Sequence, residues 1–142
     1  VYGHLFGPAM RANPGVALAL LTVSIPPADQ AILAQDGVKP VVCDSIGEAL
    51  RAGMRGALRD FHLYAHPWGF DLGDITLPVV IWHGEDDATV PISHSRFLAD
   101  RLPSATLHTV AGEGHFSLPI GQADTILADL IHSIPHTADN NT

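Results

Sequence analysis

Directly after Pro78 the chain carries Val79-Val80-Ile81-Trp82, a run of β-branched and aromatic residues with no polar residue between them. A strand with one wet face alternates; this one does not, so it predicts burial on both faces, the environment of a parallel sheet. Parallel neighbours cannot be joined by a tight turn and need a crossover, most often a helix. The sequence offers one from Ser93 through Arg96, Phe97, Leu98 and Leu102, ended by Pro103. Ala105–Val110 then predicts a second strand. Gln122–Ile134 predicts a closing helix, with Ile126, Leu127, Leu130, Ile131 and Ile134 along one side. Strand, helix, strand, helix is an α/β unit, and two strands cannot cover their own sheet. The fold class expected is therefore α/β, with this half reading as the end of a larger, incomplete parallel sheet.

The first half reads as helical. Asn13-Pro14 has the chemistry of an N-cap followed by the first helical residue, opening a helix to about Val23. Pro26-Pro27 ends that segment and leads into a short helix around Asp29–Gln35, which Gly37 and Pro40 break again. Ser45-x-x-Glu48 has capping-box spacing. The apolar positions after it, Ile46, Ala49, Leu50, Met54, Ala57, Leu58 and Phe61, keep helical period, so one long helix is expected there. His66-Pro67-Trp68-Gly69-Phe70 forces a loop. The division that follows is a helical cap-like segment over 1–66, an α/β part over 67–134 and a polar tail over 135–142.

Composition limits the partners. The 142 residues carry 15 acids against 7 bases, a formal charge of −8, with no cluster of Lys or Arg. Nothing here would neutralise phosphates, so no nucleic acid is expected as a partner, and anionic membranes are disfavoured likewise. The charged fraction is 15% beside 46% hydrophobic residues, low for a free-standing domain, as if some apolar surface were meant to be covered. Cys43, the only cysteine, permits no internal disulfide and no thiolate zinc cluster, which fits a reducing, cytoplasmic setting. The longest apolar run, Gly15–Val23, is shorter than the roughly 20 residues a membrane span needs. Behind Arg11 it has the look of a signal-peptide core, but no small-residue cleavage site follows, only Ser24-Ile25-Pro26-Pro27.

Two stretches carry chemistry, and each follows a strand. The first is His83-Gly84-Glu85-Asp86-Asp87-Ala88-Thr89-Val90-Pro91; the second is Gly112-Glu113-Gly114-His115-Phe116. In open parallel sheets the loops at strand carboxyl ends line the ligand crevice. A carboxylate there can hold the Nδ1–H of an imidazole, fixing its tautomer and stabilising the imidazolium formed when Nε2 takes a proton. Considered alone, the acid reads sooner as a solvated turn or N-cap carboxylate, and the histidine as an ordinary loop residue.

The series Pro67-Trp68-Gly69-Phe70, Asp74-Ile75, Leu77-Pro78-Val79, His83-Gly84-x-x-Asp87-x-x-Val90-Pro91 and Gly112-x-Gly114-His115 resembles the last two strands of α/β-hydrolases. It is most similar to the bacterial proline-iminopeptidase-like and esterase-like branch. The match covers about Pro67–Ile134; residues 1–66 share only the general character of the family's helical cap. The resemblance implies that Asp87, rather than Asp86, is the acid and that His115 is the general base. It further implies a small-molecule substrate with an ester, amide or similar bond, and chemistry needing no cofactor and no metal. Trp68 and Phe70 are candidates for a substrate pocket, with core packing the plainer role.

One departure from the family is marked. No Gly-x-Ser-x-Gly elbow occurs, nor a His-Gly-Gly loop to supply oxyanion donors. Ser24, Ser45, Ser93, Ser95, Ser104, Ser117 and Ser133 fall in caps, helices or loops. A base without a nucleophile has nothing to activate. The expectation is a hydrolase fragment, opening at Val1 without methionine, that is inactive alone and needs a missing N-terminal half or self-associates through an open sheet edge. Its alternatives are a non-catalytic interaction or regulatory domain, and a haloperoxidase- or lyase-like use of the same scaffold. His62-x-x-x-His66 has metal-ligand spacing, but Pro67 ends the helix and no third ligand is evident, so two exposed histidines are expected. Cys43, in an apolar setting with no adjacent base, is expected to be inert.

Overall fold

The computed structural model describes residues 12–133. The polar tail over 135–142 and the opening at Val1 lie outside them. Among the described residues the sheet is preceded by helices α1 (Pro14–Leu21), α2 (Pro27–Leu33), α3 (Val38–Ala49) and α4 (Arg55–Tyr64). A 3-10 turn at Leu72–Asp74 leads into β1 (Val79–Gly84), then α5 (Ile92–Arg101), β2 (Ala105–Val110), a short α6 (Ser117–Gly121) and α7 (Ala123–Ser133).

Local chemistry explains most of these boundaries. Asn13 caps α1, its Oδ1 accepting from the Val16 N–H at 3.4 Å, with Pro14 in the first turn. Pro27 opens α2 in the same way. Pro40, expected to break the chain, instead lies in the first turn of α3, where its missing N–H is not needed. The Ser45 capping box does not form. Ser45 is inside α3 and its hydroxyl donates back to the Val41 carbonyl at 2.9 Å, while Glu48 pairs with Arg51 at 2.8 Å. The single long helix expected here is two, because Gly53 adopts φ +84 and its N–H closes on the Leu50 carbonyl at 2.8 Å. That left-handed turn ends α3 and re-aims α4.

β1 and β2 pair in parallel, Val79 opposite Ala105 through Gly84 opposite Val110. Helix α5 packs on one face, where Ser95 meets His83. On the other face the Trp82 ring stacks on His108 at 4.5 Å, and His108 Nε2 lies 3.7 Å from Asp129 of α7. Helices therefore flank the sheet on both sides, as a non-alternating strand requires. The coverage is thin. Leu18, Leu33, Leu50, Leu102 and Leu118 are the buried apolar side chains among the described residues. The sheet is an incomplete α/β layer.

Candidate active site

The carboxyl ends of β1 and β2 are knitted together by backbone. The Glu85 N–H donates to the Val110 carbonyl and the Asp86 N–H to the Glu113 carbonyl, both at 3.0 Å. Gly84 makes this approach feasible: a Cβ there would overlap the Glu113 carbonyl and crowd that of Gly114. The two loops singled out in the sequence thus share one wall, and each positions its side chain against the other.

In the first loop the Asp87 carboxylate turns inward and its side chain is 7% exposed. Its Oδ1 accepts from the Thr89 and Val90 N–H groups, each at 2.8 Å. Such short-range bonds are the reason Asp occurs in turns. Neighbouring Asp86 is exposed. His83 braces the turn from below. Its Nε2–H donates to the Val90 carbonyl at 3.0 Å, and its Nδ1 accepts from the Ser95 hydroxyl at 2.6 Å. Both ring nitrogens are used, which fixes the orientation of the buried ring.

In the second loop, the Nδ1–H of His115 donates to Asp87 Oδ2 at 2.9 Å. Among the described residues Nε2 has no hydrogen-bond partner, and the side chain is 39% exposed. The ring is held edge-on to Phe116, centroids 5.4 Å apart. Burial pushes the Asp87 carboxyl up. The Val90 N–H, the His115 Nδ1–H and the Thr89 N–H all favour the ionised form, as does the imidazole's charge, and their sum leaves it below its ordinary 3.8. The arrangement is a carboxylate that stays charged, an imidazole whose tautomer it sets, and a free Nε2 that can take a proton from a group in the opening.

Sequence reasoning missed the residue beneath the histidine. Asp29, fully buried at 0% exposure, reaches from α2 and accepts three backbone N–H bonds from the start of α6. His115 N–H donates to Oδ2 at 2.9 Å; Phe116 and Ser117 donate to Oδ1 at 2.9 and 2.7 Å. The Gly114 N–H bonds the Ser117 hydroxyl at 2.7 Å. A Cβ on Gly114 would overlap the Asp29 carboxylate. In the sequence Asp29 looks like an acid in the first turn of its own helix, a common electrostatic choice. No local pattern discloses a partner 86–88 residues away.

The remaining candidates fall elsewhere. Trp68 and Phe70 stack on each other at 5.8 Å and line an open depression of about 790 Å³ with Tyr64, Phe97 and Arg101. Neither Asp87 nor His115 lines it. Arg101 ends α5, about 15 Å along that helix from the acid turn. The depression is thus at the amino end of the sheet, away from the pair. His62 and His66 have ring centroids 3.9 Å apart, with the His66 Nδ1–H on the His62 carbonyl. Among the described residues no three His, Cys, Asp or Glu side chains cluster to hold a metal. Cys43 is half-buried on α3. No described helix is long and apolar enough to cross a membrane.

The model of the alpha/beta hydrolase fold family matches residues 51–121, half of the chain and the half that carries the acid turn and His115. The chain belongs to the α/β-hydrolase family. It is 40% identical over 62 residues to a non-heme chloroperoxidase of Burkholderia pyrrocinia, a stretch covering 43% of this chain and 22% of that protein. It is 42% identical over 69 residues to the putative carbamate hydrolase RutD of Variovorax paradoxus, covering 49% and 24%. Est816, solved as an N-acyl homoserine lactone degrading enzyme, superposes with a TM-score of 0.54 at 19% identity, over 90% of this chain and 51% of that one. The last likeness is one of fold. The matched stretches span about a quarter or less of the length of these curated relatives.

Proposed function

We propose that this chain supplies the acid and base of a serine-type hydrolase acting on a small acyl ester, amide or carbamate-like substrate. The observation that carries the proposal is the 2.9 Å bond from His115 Nδ1–H to Asp87, which leaves Nε2 free. In this reading His115 Nε2 takes the hydroxyl proton as a serine oxygen bonds to the substrate carbonyl carbon. It returns that proton to the leaving group as the carbonyl re-forms. A water repeats the cycle on the acyl-enzyme, and Asp87 stabilises the imidazolium each time without itself being protonated. No metal or redox group takes part in these steps.

The serine comes, on this proposal, from outside the 142 residues, on a strand-to-helix elbow ahead of the acid in chain order. Residues 1–66 serve as the cap over residues 67–134. The single thiol, Cys43, agrees with a reducing compartment. A binding module derived from the same fold is the second reading, favoured by the lack of any Gly-x-Ser-x-Gly in the sequence.

Hydrolysis of p-nitrophenyl esters tests this, by the chain alone and with the coding sequence upstream of residue 1. Alone, the chain is expected to match its own His115→Ala and Asp87→Ala variants. With an upstream elbow serine, activity should appear and fall about 10²–10⁴-fold in either variant. Upstream sequence without such a serine, or activity untouched by both substitutions, would move the assignment to the binding module.

A further inference from the structure

We infer that Asp29 is a positioning residue for His115, the bond through which the helical segment sets the base's orientation. The inference rests on the reading of His115 as the base.

Asp29 is the one fully buried carboxyl among the described residues, and nothing on its own helix explains it. At the third position of α2 an acid ordinarily faces its own free N–H groups. Here the N-cap of α2, Pro26, makes no side-chain cap bond, and both Asp29 oxygens point away, to the turn that opens α6. All three acceptor bonds go to consecutive N–H groups, starting with that of His115 itself. They fix where the Cα–Cβ bond of residue 115 points, and hence where the ring can meet Asp87. Charge-assisted bonds of this kind are the strong ones, and a buried carboxylate deprived of them would be costly.

The surroundings are shaped for this contact. Gly114 leaves room that any side chain would take from the carboxylate, and the Ser117 hydroxyl accepts from the Gly114 N–H, so the backbone N–H groups of 114–117 are all committed. Asp87 grips the imidazole at one end and Asp29 grips the backbone beneath it. Asp87 belongs to the α/β part and Asp29 to the helical segment, so His115 is in register only while α2 is docked on α6. A helical segment that lifts away when substrate enters or leaves would loosen the base in the same movement.

The experiment is NMR on the full 142-residue chain, following the His115 Nδ1–H resonance and the amides of residues 115–117. In the unaltered chain these three amides should exchange at least about tenfold more slowly than the amide of exposed Ala88 in the acid turn. Asp29→Asn should keep the fold and speed exchange of the His115 Nδ1–H by about tenfold or more. Gly114→Ala, which displaces the carboxylate without removing it, should do the same. Leu102→Ala, destabilising but at the end of α5 far from the acid turn, should leave that proton unchanged, which separates positioning from general stability. Asp87→Asn tests the underlying reading separately: a His115 Nδ1–H signal that survives it unaltered removes the acid–base pair, whatever Asp29 does. Unprotected amides at 115–117 in the unaltered chain would overturn the inference even if every variant fails to fold. So would an Asp29→Asn chain whose Nδ1–H exchanges as before.

Discussion

At the scale of single residues, the acid turn concentrates donors on one carboxylate. Asp87 takes two backbone N–H bonds and the imidazole N–H, and these outweigh the burial that would raise its pKa. A group whose folded pKa is depressed stabilises the fold above its unfolded value and ceases to do so as pH falls through the folded one. Stability from Asp87 should therefore be complete above 3.8 and drain away below it. Urea midpoints measured from neutral pH downwards should show this as a falling acid limb. Asp87→Asn should lower the neutral plateau and flatten that limb, because its amide cannot titrate. A limb of equal steepness in both proteins would mean that other carboxylates cause it. The same residue illustrates what the sequence discloses. That Asp87 and His115 meet was legible because each lies in a loop directly after a strand. Asp29 was not, since burial and a partner at distant chain separation leave no mark on neighbouring residues.

At the scale of elements, the legible parts were those whose pattern the local chain enforces. The run Val79–Trp82 is a strand and Ala105–Val110 pairs with it in parallel, but the expected burial on both faces is only partial, since Val80 is 37% exposed. The misread parts were in the helical half, where two local signals competed. Ser45 and Glu48 have the spacing of a capping box, yet Ser45 falls mid-helix because α3 had already begun at Val38. Gly53 lies within an unbroken apolar period, and its left-handed turn overrides the period. Short α6 went unseen because its start is held by Asp29 rather than by a cap of its own. Where the two strand-end loops meet, backbone presses on backbone at Gly84, and neither chain can yield as a flexible side chain would. Gly84→Ala should consequently cost about 1–3 kcal/mol in urea unfolding, as overpacking does, and should part the Asp87 turn from the His115 loop. Loss of the His115 Nδ1–H signal with the fold retained would mark that separation. An alanine variant as stable as the parent, with the signal intact, would mean that the contact is slack.

For the whole molecule, what decides behaviour in solution is the apolar surface left uncovered. Among the described residues β1 has β2 along one edge and no strand along the other. Leu127 and Ile131, one turn apart on α7, are 54% and 61% exposed, and Leu58 and Phe61 on α4 are 56% and 65% exposed. Burying a whole aliphatic side chain is worth about 1.5–3 kcal/mol, so covering the exposed part of Leu127 and Ile131 is worth roughly 2–3 kcal/mol. A symmetric contact would double that. Association costs about 4–15 kcal/mol in lost freedom, so one helix face alone brings two copies near balance and no further. The α4 stripe and the open edge of β1 must be engaged as well before a tight complex forms. The expected result is weak self-association, growing with concentration toward about 1 mM, without a single defined stoichiometry. Sedimentation velocity up to that concentration should show a weight-average coefficient that climbs with loading. Leu127→Ser with Ile131→Ser should suppress the climb while leaving the His115–Asp87 bond intact, because α7 does not touch that pair. A concentration-independent monomer that unfolds cooperatively would show that the chain tolerates these faces in water. The low charged fraction would then reflect no missing cover.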